Sequence, residues 1–106
     1  MEKERRSAPR ARVNLPARWE GAMSRENATV TDLSRNGCFV LTGGKVEVKE
    51  LVWLEIRLPD QEPVTLWGEV VNAAPEIGFA LRFNAGTPEG EATLAKYLEG
   101  VFRGKR

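Results

Sequence analysis

The chain has 106 residues, 42% hydrophobic and 29% charged, enough for one domain with a core and not for two. It contains no histidine and one cysteine, Cys38. That excludes an internal disulfide, multi-cysteine zinc sites, and Ser-His-Asp or Cys-His catalysis. The net charge is +1, yet residues 1–12 hold five basic and two acidic side chains, so this segment carries +3 and the remainder −2. The asymmetry points to an anionic partner for the N-terminal segment rather than to a basic body.

Apolar runs are only a few residues long, far short of the roughly 20 that span a bilayer. No basic-then-apolar leader opens the sequence. The reading is a cytoplasmic protein without a membrane partner. Residues 1–10 have no apolar periodicity and include Pro9. Alternation begins at Ala11, where Val13, Leu15, Ala17 and Trp19 interleave with Arg12, Asn14, Pro16 and Arg18, the period of a strand. Pro16 suits an edge, or a strand with one open N–H side. The organisation is therefore a flexible arginine-rich arm, 1–12, and a folded body, 13–106.

Glu20-Gly21 and the polar run Ser24–Asn27 predict a turn. Ala28, Val30 and Leu33 predict a second strand. Asn36-Gly37 is a turn signal, since both residues tolerate positive φ. Cys38–Leu41 is a short strand closed by Gly43-Gly44, and the alternating residues 45–50 suggest a further strand after a hairpin turn. Leu51–Leu58 and Val64–Val71 are strands, with a bend or bulge at Gly68. Ala73–Glu76 turns, and Ile77–Phe83 returns with Ile77, Phe79, Leu81 and Phe83 on one face. The period then becomes helical: Thr87 is the N-cap, Pro88 the first helical residue, and Leu94, Tyr97, Leu98, Val101 and Phe102 form the apolar stripe. About six short strands and one helix, 88–102, predict an all-β fold: a six-stranded antiparallel β-barrel with one C-terminal α-helix over an open end or face.

No carboxylate pair stands out as catalytic, and no nucleophile has a base, so the chain does not read as an enzyme. "TGGK" (42–45) lacks the spacing and following helix of a phosphate loop. Two features remain: the arm, with Arg5, Arg6 and Arg10, and "DLSRNG" (32–37) at a strand end. Arginine forks bind phosphate and guanine O6/N7, and guanidinium planes stack on bases. An aspartate accepts from the N–H groups on guanine's other edge. A serine hydroxyl serves phosphate or base, and a glycine admits close backbone approach. The set suits a compact anionic guanine nucleotide.

At these residues the chain resembles the PilZ domain family, bacterial receptors for cyclic di-GMP, whose signatures are RxxxR and, 20 to 30 residues later, [DN]xSxxG. "RSAPR" (6–10), "DLSRNG" (32–37) and "EIGFALRF" (76–83) carry the likeness, in order along essentially the whole chain. The resemblance implies cyclic di-GMP as the ligand, with no other cofactor. It implies that Arg6 and Arg10 clasp guanine and phosphate, and that Arg5 adds a contact associated with an intercalated ligand dimer. Asp32 and Ser34 would meet the guanine edge and phosphate, and Gly37 would keep the turn open. Asn36 departs from the glycine often found there. It implies ligand-induced ordering of the arm as the signal, passed to a downstream effector protein. Trp67, on a central strand, has two readings, packing near the ligand or, the favoured one, serving as a core or barrel-face aromatic. Trp19, Trp53, Phe39 and Phe79 read mostly as core. The rivals are a nucleotide-independent interaction adaptor and a small nucleic-acid-binding barrel. The slightly acidic body disfavours the latter.

Overall fold

The computed structural model describes residues 9–104. Six strands follow one another: β1 (Ala11–Glu20), β2 (Arg25–Leu33), β3 (Gly37–Leu41), β4 (Leu51–Ile56), β5 (Val64–Ala74) and β6 (Gly78–Gly86). They close antiparallel in the order β1-β2-β3-β6-β5-β4, with β4 returning to β1. Closure removes the exposed sheet edges that would otherwise invite strand addition. A helix, α1 (Pro88–Gly104), follows. Among the described residues no helix is long and apolar enough to cross a membrane.

Period-two alternation sends one side chain of each pair inward. Trp19, Val30, Val40, Val52, Leu54, Ile56, Val70 and Phe79 are fully enclosed. Trp19 meets Phe79 edge-on, with ring centroids 5.1 Å apart. Its indole Nε1 donates to Thr42 Oγ1 at 3.1 Å, so the buried polar handle is satisfied. The loop 42–50 seals this end, with Gly44 so close to the Trp19 ring that a Cβ could not fit. Leu94 and Leu98 of α1 are buried against the opposite end. Thr87 caps the helix, its Oγ1 accepting from Gly90 N at 2.9 Å.

Several details differ from the sequence expectation. The connection after β1 is shorter than predicted: Gly21 N donates to Ser24 O at 2.8 Å, and Arg25–Asn27 already pair with β1. Their polar side chains give no strand signal, because ladder bonding is indifferent to side-chain polarity. Residues 42–50 form neither a hairpin turn nor a strand. β3 and β4 are not neighbours, so the segment must cross the barrel end. It is held there by Lys49 N to Val70 O at 2.7 Å and Val70 N to Glu50 O at 2.9 Å. Ile77 lies exposed in the β5–β6 turn rather than on the core face. Gly68 does sit at a register shift between β5 and β6. Pro16 lies one residue beyond the β1–β4 ladder, where its carbonyl still accepts from Arg57 N at 2.9 Å.

Candidate functional site

The candidate site lies on the outer wall of the barrel, near the end covered by α1. Arg12 stands opposite Asp32, Asp32 opposite Phe39, and Phe39 opposite Ala80, a lateral row across β1, β2, β3 and β6. Bulges displace both strands just here: the register shifts between Arg12 and Leu15 of β1, and between Val30 and Asp32 of β2. Such bulges re-aim side chains and increase local twist. A recess of about 370 Å³ results, lined by Arg10, Arg12, Thr31, Asp32, Cys38, Phe39 and Ala80.

Arg10, just before β1, donates from Nη1 to Asp32 Oδ2 at 3.2 Å. The two side chains are 67% and 37% exposed, so the bridge is open to solvent and weak. Arg10 and Asp32, 22 residues apart in sequence, thus meet at one recess. Arg5 and Arg6 lie outside the described residues.

Ser34 is buried in the turn. Its Oγ accepts from Asn36 N at 3.0 Å and Gly37 N at 3.2 Å, and donates to Gly37 O at 3.4 Å. The hydroxyl is fully engaged in holding the turn that follows Asp32. Gly37 begins β3 opposite Arg82, where a Cβ would run into the Leu81 carbonyl oxygen. Glycine is needed there for strand approach. Neither Asn36 nor Gly37 adopts positive φ, because the Ser34 hydroxyl closes the turn instead.

Sequence reading missed Arg12, Thr31, Phe39 and Ala80 as lining residues. Phe39 is not core: Cys38 and Val40 occupy the inward positions, so strand period turns the ring outward. That signal was available in "CFV". Phe39 leans on Gly78, whose absent side chain makes room for it. Trp53 is likewise on the outer wall, half-buried. Cys38 lies beneath the recess, its thiol pushed up by burial and, secondarily, by the Asp32 charge. Trp67 is a barrel-face aromatic, 48% exposed on β5, and does not line this recess. Among the described residues, no group of three or more His, Cys, Asp or Glu side chains is placed to hold a metal ion.

A closed six-stranded antiparallel barrel with a C-terminal helix, and an arginine that meets an aspartate at a recess on its wall, define a small barrel domain. Residues 4–100 match the PilZ domain model, and the chain belongs to that family. No curated protein matches the sequence. The Bacillus subtilis inhibitor of motility, MotI/DgrA, superposes with a TM-score of 0.79 at 20% identity, over 96% of this chain and 53% of its own. The PilZ domain of CeSA from a cellulose-synthesizing bacterium gives 0.65 at 19% identity, over 92% of this chain and 99% of its own. MrkH, described as a cyclic di-GMP-dependent transcription regulatory factor, gives 0.73 at 15% identity, over 92% and 51%. The chain thus spans about half the length of MotI and of MrkH. At these identities the likeness is one of fold.

Proposed function

We propose that this protein is a cytoplasmic receptor for cyclic di-GMP, binding the nucleotide on the barrel wall rather than transforming it. The meeting of Arg10 and Asp32 at one recess carries the reading, since the two residues belong to the two halves of the motif. In the bound state Asp32 accepts from the N1 and N2 groups of guanine. Arg10, exchanging its carboxylate partner for the ligand, takes phosphate or the O6/N7 edge. Arg6 completes the clasp and Arg5 adds a further cation. Ser34 and Gly37 serve indirectly, by holding Asp32's turn and the β3–β6 approach. Arg12 adds positive charge beside Asp32, and Phe39 offers an apolar floor for a purine. Closure of residues 1–10 over the ligand creates a new surface, which a downstream effector protein reads.

Calorimetric titration with cyclic di-GMP tests this directly. Micromolar or tighter binding is expected, lost in Arg6→Ala and in Arg10→Ala while cooperative thermal unfolding persists. Absence of heat and of thermal stabilisation at saturating nucleotide would instead favour a nucleotide-independent adaptor.

A further inference from the structure

The barrel carries a second recess, of about 420 Å³, lined by Glu20, Gly21, Ala22, Leu51, Trp53 and Trp67. Glu20, Trp53 and Trp67 form a lateral row across β1, β4 and β5. In the six-strand ring β5 lies opposite β2, so this wall faces away from Asp32. Leu51 is 57% exposed and Trp67 48%, Leu51 at the start of β4 and Trp67 beside the register shift of β5, where a polar residue would do. The floor at Gly21 has no side chain, and a Cβ there would strike the Glu50 carboxylate.

The charges around the recess select a cation. Glu50 Oε2 accepts from Ala22 N at 2.6 Å and Oε1 from Glu47 N at 2.9 Å. Among the described residues no cation pairs with Glu50, and Glu20 has only a loose 3.6 Å contact with Arg25. The wall already displays the relevant chemistry once: the Arg18 guanidinium lies 5.6 Å from the Trp53 ring centroid, anchored by Glu55. Among the described residues no cation lies over the neighbouring Trp67. Half-open indoles beside an unneutralised carboxylate attract an ammonium or guanidinium group.

We propose that this recess docks an arginine or lysine side chain presented by a partner protein, with the partner's apolar neighbours resting on Leu51 and Trp53. Phosphate-bearing partners are repelled by Glu20 and Glu50. A stable dimer needs more surface: the three apolar side chains offer roughly 300 Å², against about 800 Å² per partner in a lasting interface. Because the two recesses occupy opposite walls, a partner docked here leaves the nucleotide wall open.

The three tryptophans make the test specific, since each indole N–H gives its own signal in ¹⁵N-labelled full-length protein. Titration with acetyl-Leu-Arg-Leu-amide should shift the Trp53 and Trp67 signals saturably and leave Trp19, buried on Thr42, in place. Acetyl-Leu-Glu-Leu-amide should move neither. Trp67→Ala should abolish the Trp53 response, and Glu20→Gln should weaken the arginine peptide about threefold with the rest of the spectrum unchanged. Equal responses to both peptides, or none at about 10 mM, would overturn the proposal. Shifts that grow with protein concentration alone would overturn it too, assigning the wall to a second copy of the chain.

Discussion

Asp32 and Ser34 stand two residues apart and do different work. The Asp32 carboxylate faces solvent and Arg10, so Asp32→Ala removes a weak exposed bridge and should change stability by less than about 1 kcal/mol. Its effect should fall on ligand: cyclic di-GMP affinity drops, and the preference over cyclic di-AMP shrinks. Equal affinity of the intact protein for the two nucleotides would contradict base reading by Asp32. Ser34 shows the reverse pattern. Its buried Oγ satisfies two backbone N–H groups, and Ser34→Ala leaves both without that acceptor. The expected cost is about 1–3 kcal/mol in denaturant unfolding, with binding reduced only through the loosened turn. Gly37→Ala should cost at least as much, because its methyl group meets the Leu81 carbonyl and the strands must separate. A Gly37→Ala protein as stable as the parent would remove the steric account of that glycine.

At the scale of the element, β3 links the site to the core. Phe39 faces the recess while Cys38 and Val40 face inward. Burial raises the Cys38 pKa above its ordinary value of about 9, so the folded state keeps the thiol proton when the unfolded chain releases it. Below that value both states are protonated and the term is constant. Above it the unfolded state binds fewer protons, and stability should fall by about 1.4 kcal/mol per pH unit. Chemical denaturation between pH 8 and 10 should give a shallower decline for Cys38→Ala than for the parent. Parallel slopes would show that the thiol is not the group responsible. The elements also separate what a sequence can disclose. Strands with an unbroken inward phase, such as β4 with Val52, Leu54 and Ile56, were legible, as was the Thr87 cap. The spacing also singled out Arg10, Asp32, Ser34 and Gly37, of which Arg10 and Asp32 meet at one recess while Ser34 and Gly37 hold the adjoining turn. Residues 42–50 were not, because their alternation mimics a strand while the barrel order forces them across its end. Arg12 and Ala80 were hidden for a similar reason: their relation to Asp32 exists only once register and bulges are set.

For the whole molecule, charge and topology act together. Residues 1–12 carry +3 and the remainder −2, so the body does not draw an anion unaided. On the proposed reading the attraction comes from the segment that leads into β1, whose Arg10 and Arg12 line the recess beside Asp32. The barrel walls are tied strand to strand around a closed ring. Two consequences follow for cyclic di-GMP. Its affinity should fall as salt rises, by about three- to tenfold between 50 and 500 mM, as the screening length contracts from about 14 to about 4 Å. Arg12→Ala, which removes a cation on the solvent face of β1 without opening the core, should weaken binding and flatten that dependence while leaving the melting temperature nearly unchanged. The discriminating measurement is the slope of affinity against salt for the two proteins. If both slopes are near zero, the nucleotide is held by stacking and hydrogen bonds alone, and the charge asymmetry of the chain needs another cause. If only the parent responds to salt, Arg12 belongs to the binding field along with Arg6 and Arg10.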